Sequence, residues 1–181
     1  MKRALLVIDV QNEYFTGKMP VTYPMGSLSN IMQAMHAATE RGIPVYLIRH
    51  TAIQAGAQVF LENSPGWQIV PAILNEKHDK IIEKNLPGSF TGTELEQLLR
   101  SNGTDTVTVC GYMTQMCCDT TARQALHLGF AVEFLSDATG TLDVSNSAGS
   151  VCAKDLHNAI LVTQAMLSSK VVAVRDWMKS L

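Results

Sequence analysis

Residues 4–10, ALLVIDV, are apolar at every position but one. A strand with one wet face alternates apolar and polar side chains, because successive side chains point to opposite sides of the sheet. A run without alternation predicts a strand covered on both faces, as happens where helices pack above and below a parallel sheet. Residues 44–51 (PVYLIRHT), 80–84, 106–110, 131–135 and 171–174 supply five further β-branched runs. Helical stretches lie between them. Ser27 is placed to cap a helix through Met32, Met35 and Ala38 that stops at Gly42. Thr93 and Glu96 have the spacing of a capping box before a helix ending at Gly103, and helices are expected over residues 117–128 and 150–168. The alternation predicts an α/β fold: a three-layer α/β/α domain over residues 1–181 around a mostly parallel six-stranded sheet. Residues 52–79, with Gly56, Pro65, Gly66 and Pro71, read as a long loop excursion, and such loops are usually functional or disordered.

Charge and cysteine usage narrow the classes of partner. The formal net charge is −2 and the basic residues are scattered, so no nucleic-acid partner is expected, since phosphate binding needs clustered Lys and Arg. The start, MKRALLVIDV, has a basic end and an apolar run, but Asp9 interrupts it and no small-residue cleavage site follows. No stretch approaches the roughly 18 apolar residues of a spanning helix, so a cytoplasmic location without a membrane partner is expected. Cys110, Cys117, Cys118 and Cys152 have no paired C-x-x-C spacing and are expected to be free thiols.

Ligands of open parallel sheets sit beyond the carboxyl ends of the strands, which singles out Asp9, Lys84 and the 111–117 turn. Cys117 falls at or just before a helix start. The helix dipole and free N–H groups there favour a thiolate and lower the pKa of a thiol, and the same N–H groups suit an oxyanion. A small buried apolar residue is the other reading of Cys117. Asp9 must be paired if it is buried; it is either a proton acceptor or a strand-end cap on Gln11 or Asn12. Lys84 is either the partner charge or a solvated lysine. His50, Phe15 and Trp67 are candidates for the pocket wall, with a structural histidine and loop anchoring as the alternatives.

The segments ALLVIDVQ, IIEKNLPGSFTGTELEQLL and VTVCGYMTQMCCDTTARQALHLGFAVEFLSDAT resemble the isochorismatase-like cysteine hydrolase family, which includes nicotinamidases and N-carbamoylsarcosine amidases. The resemblance covers nearly the whole chain. Its most specific part is G-x-x-T-x-x-C followed by T-x-x-x-A-x-x-x-G. It implies a catalytic triad of Asp9, Lys84 and Cys117, a cis peptide between Tyr112 and Met113, and an oxyanion hole formed by the backbone N–H groups of Met113 and Cys117. It also implies a small-molecule substrate, no cofactor, and self-association into a dimer or tetramer. Nicotinamidases resembling this family carry a D-x-H metal-ligand cluster after the second strand. Here that place reads Arg49, His50, Thr51, so no metal is expected. Isochorismatases proper cleave a vinyl ether and can dispense with the thiol, so Cys117 points to hydrolysis of an amide or carbamoyl C–N bond through a thioester. A vinyl ether hydrolase using Asp9, and a catalytically silent binding or assembly module, stay open. Cys118 is expected in the core.

Overall fold

The computed structural model describes residues 1–181. The apolar runs form β1 (Arg3–Ile8), β2 (Val45–His50), β3 (Lys80–Lys84), β4 (Thr106–Tyr112) and β5 (Ala131–Gly140). A hairpin, β6 (Val144–Asn146) and β7 (Gly149–Val151), precedes β8 (Lys170–Val172). Six of these strands pair in parallel in the order β3-β2-β1-β4-β5-β8. The helices are α1 (Ser27–Glu40), α2 (Pro71–Leu74), α3 (Leu95–Ser101), α4 (Asp119–His127), α5 (Ala153–Met166) and α6 (Val174–Met178). None is long and apolar enough to cross a membrane.

The absence of alternation in β1 has its cause in the layers. Leu5 and Val7 pack with Ile31 and Met35 of α1 and Trp177 of α6. Ala4, Leu6 and Ile8 join the opposite cluster, with Leu95 and Leu99 of α3 and Ala122 and Ala125 of α4. Both faces of β1 are therefore dry. The chain lays β2 and β3 on one side of β1 and β4, β5 and β8 on the other. The order reverses between β1 and β4, and a crevice opens there beyond the strand ends.

Several boundaries differ from the sequence expectations. β1 ends at Ile8, before Val10, because Asp9 takes φ +50°. Ser27 does not cap α1: Gly26, at φ +82°, holds that position, and the Ser27 hydroxyl lies 2.9 Å from that of Tyr112. The capping box at Thr93 is not formed either. Its hydroxyl donates to the Ser89 carbonyl at 2.6 Å, and Glu96 pairs with Arg100. The helix expected from residue 117 begins at Asp119, after a wide π-helical turn over Thr114–Cys118. The 150–168 segment becomes helical only from Ala153, since the hairpin takes up residues 144–151. β8 stops at Val172 and the chain then coils into α6, where Trp177 Nε1 donates to the buried Glu133 carboxylate at 2.7 Å. The 52–79 excursion is irregular apart from the single turn of α2. It is tied back by Gln11, which bridges to Ile69 and donates its side-chain amide to the Trp67 carbonyl at 2.7 Å.

Candidate active site

Four adjacent strands deliver one polar side chain each to the crevice: Lys84 from β3, His50 from β2, Asp9 after β1, and Cys117 from the turn after β4. Asp9 sits at φ +50°, a left-handed conformation that Asp adopts more readily than most side chains. Its N–H still bonds the Ile48 carbonyl at 2.9 Å, so the kink falls at the strand end without breaking the ladder. Opposite Ile8 in the register stands Gly111, at φ +114°. A Cβ there would run into the Ile8 carbonyl oxygen, so only glycine lets β4 pass this close to β1.

Lys84 is 2% exposed, and its ammonium sits among three acceptors. Nζ lies 2.7 Å from Asp9 Oδ2, 3.3 Å from Cys117 Sγ and 3.5 Å from His50 Nδ1. An ammonium has three N–H bonds and no lone pair, so all its donors are used. Asp9 is fully buried, and its Oδ1 has no hydrogen-bond partner. The structure thus brings Asp9, Lys84 and Cys117 together, with His50 as a fourth member.

Electrostatics define the resting protonation. Burial opposes the Lys84 charge, but the carboxylate of Asp9 and the sulfur of Cys117 outweigh it and hold the ammonium above the usual lysine range. Burial pushes the Cys117 thiol well up, the charge of Asp9 pushes it further, and Lys84 offsets only part. The expectation that a helix start lowers this thiol's pKa is therefore corrected. Cys117 lies inside the π turn, 7% exposed, and desolvation of a thiolate outweighs the helix dipole there. The resting state is an ion pair beside a protonated thiol. Burial first, and then the neighbouring ammonium, lower the His50 pKa against a smaller opposing effect of Asp9, so the imidazole is neutral.

The Tyr112–Met113 peptide is cis, as the resemblance implies. The Met113 carbonyl accepts from Met116 N at 3.1 Å and Cys118 N at 3.2 Å, whereas the Met113 N–H makes no hydrogen bond within the chain. Cys118 is fully buried in the core, as expected.

A cavity of about 440 Å³ opens over the Cys117 sulfur, walled by Tyr14, Val59, Phe60, Met113 and Met116, with His50 on its rim. His50 is where the sequence places it; Phe15 and Trp67 are not, and both expectations are corrected. A 3₁₀ turn over Asn12–Tyr14 turns each side chain about 120° from the last. Tyr14 faces the cavity, while Phe15 packs edge-on against Tyr112, ring centroids 5.6 Å apart. Trp67 is held behind the site, its Nε1 donating to Thr51 Oγ1 at 2.7 Å and its ring lying 3.7 Å below the Arg49 guanidinium. Phe60 went unseen in the sequence because nothing local marks which side chain of a 28-residue excursion turns inward (residues 52–79).

The residues after β2 do not form a metal site. Arg49 is engaged by Glu83 and Trp67, and where Asp9, His50 and Cys117 do converge the Lys84 ammonium occupies the centre, so no three His, Cys, Asp or Glu side chains are placed to hold a metal ion. A structural or catalytic zinc needs three or four such ligands.

Comparison with known proteins matches the isochorismatase domain model to residues 3–166. YddQ of Bacillus subtilis, an uncharacterised isochorismatase family protein, is 33% identical over 162 residues, 89% of this chain and 90% of its own. Nicotinamidase 3 of Arabidopsis thaliana is 30% identical over 174 residues, 90% of this chain and 80% of its own. Among solved structures, one from Burkholderia xenovorans LB400 assigned as an isochorismatase has a TM-score of 0.95 and 42% identity, covering 99% of this chain and 86% of that one.

Proposed function

The chain belongs to the isochorismatase family, whose members are hydrolases, and from that premise we propose that it cleaves the C–N bond of a small amide or carbamoyl compound through a Cys117 thioester, without a metal. The observation that carries this reading is the position of Lys84 Nζ between Asp9 Oδ2 (2.7 Å) and Cys117 Sγ (3.3 Å), with Asp9 Oδ1 left unpartnered.

As Sγ attacks the carbonyl carbon, the thiol proton passes to Asp9, and Lys84 balances the charge on whichever partner carries it. The carbonyl oxygen becomes an oxyanion and accepts from the backbone N–H groups of Met113 and Cys117; the Met113 N–H has no competing partner. Asp9 returns the proton to the nitrogen, the C–N bond breaks, and ammonia or an amine leaves a thioester behind. Asp9 then takes a proton from water as the water oxygen attacks. The C–S bond breaks, the acid departs, and the thiol regains its proton. The net change is amide plus water to acid plus amine. Metal independence is supported by the donor set after β2, where the only imidazole already faces an ammonium.

The test begins with ammonia release from a panel of small amides. For a turned-over amide, Cys117→Ala should cut kcat/KM by at least roughly 10³-fold, with native-like thermal unfolding, while a chelator leaves the native rate unchanged. Turnover surviving in Cys117→Ala would remove the thiol from the mechanism, and vinyl ether cleavage surviving there would favour acid catalysis by Asp9 alone.

A further inference from the structure

The cavity over Cys117 presents a substrate with no fixed charge. None of its fourteen lining residues is Asp, Glu, Lys or Arg, and its walls are aromatic, aliphatic and thioether groups. The one cation beneath it, Lys84, is neutralised by Asp9 and has spent its three donors on Asp9, Cys117 and His50. Besides Cys117, polar side chains on the wall are Tyr14, His50 and Gln54. Because His50 Nδ1 faces a group that can only donate, that nitrogen must supply its lone pair and the proton sits on Nε2. All three are therefore uncharged hydrogen-bonding groups in an otherwise apolar chamber.

Moving an ion from water into such a chamber without a counter-charge costs several kcal/mol, whereas a neutral apolar body gains about 25 cal/mol for each Å² it buries. On the cysteine hydrolase reading, on which this inference rests, we propose that the substrate is an uncharged primary amide with an aliphatic or aromatic body, and that amides bearing a second carboxylate or an ammonium are excluded. The same selection helps the cycle to finish. Hydrolysis turns the neutral amide into a carboxylate, the species the chamber holds worst, so the product leaves.

Four amides of similar size test the idea: isobutyramide and benzamide as neutral bodies, succinamate as an anion and β-alaninamide as a cation. Ammonia release by the native protein should favour the better neutral amide over either charged one by at least roughly a hundredfold in kcat/KM. Comparable turnover of succinamate or β-alaninamide overturns the proposal. Thermal shifts of Cys117→Ala, which keeps the walls but lacks the nucleophile, read binding alone. The neutral amides should raise Tm and the charged ones should not; equal shifts, or none from any amide, overturn it. Neutral amides that bind without releasing ammonia in the native protein would uphold the selection against charge and defeat the hydrolase reading.

Discussion

Lys84 and Asp9 form an ion pair from which water is excluded on all sides. Breaking one member of such a pair is costlier than removing both, because the survivor stays buried and uncompensated. Lys84→Met should therefore cost about 3–5 kcal/mol in urea unfolding, and adding Asp9→Asn should recover much of that while activity stays lost. A single variant as stable as the native protein would show that the pair is not dry. A lone acid in an apolar run marked Asp9 in the sequence, and the position of the 111–117 turn beyond a strand end marked Cys117. The choice between Tyr14 and Phe15 was not legible, since both rings pack against Tyr112 and only the turn after β1 decides which of them also lines the cavity.

At the level of elements, the close approach of β1 and β4 holds Asp9 near Cys117, and it depends on Gly111. Gly111→Ala should cost on the order of 3 kcal/mol, since it meets both an unfavourable φ and a backbone clash, and should abolish turnover. Gly129→Ala, also at positive φ (+84°) but with open space around it, should cost only about 1 kcal/mol. Urea midpoints of the two variants check the contrast, and equal losses would mean that φ alone matters at Gly111. Strand cores were legible because burial on both faces leaves a local record in β1, β2 and β4. Helix starts were not. Ser27 and Thr93 have the chemistry of caps, but the Ser27 hydroxyl is engaged by the distant Tyr112, and that of Thr93 donates back to the Ser89 carbonyl and accepts from the Leu95 N–H without Glu96 completing a box.

For the molecule as a whole, two imidazoles, the buried His157 and the half-buried His50, set the acid side of stability. His157 lies between Thr114 Oγ1 and the Ser136 carbonyl, each at 2.9 Å. Burial lowers its pKa, as burial and then Lys84 lower that of His50. The unfolded chain takes up protons near the ordinary histidine pKa of about 6.5 while the folded one resists them. Unfolding then binds protons, and stability falls as pH drops below about 6.5. Glu133, held below the usual carboxylate range against its burial by Arg3, Trp177 and Thr108, loses its contribution only at lower pH, below the ordinary glutamate range. Tm should thus decline between pH 7 and 5.5, and His157→Gln should flatten the decline. An unchanged Tm over that interval would refute the assignment.

The layered α/β architecture and the six strands of its sheet were legible in the sequence, because the demand to bury a strand on two faces is written into consecutive side chains, and the strand-end rule with the family resemblance marked Asp9, Lys84 and Cys117. The tertiary structure decided the rest: which aromatic rings wall the cavity, that His50 accepts from Lys84, and that Cys117 rests as a thiol. Those outcomes depend on desolvation and on side chains contributed after β1, from β2 and β3, and from the turn after β4. Asp9 lies 75 positions from Lys84 in the chain and raises the proton affinity of that amine only after folding has removed the water between them.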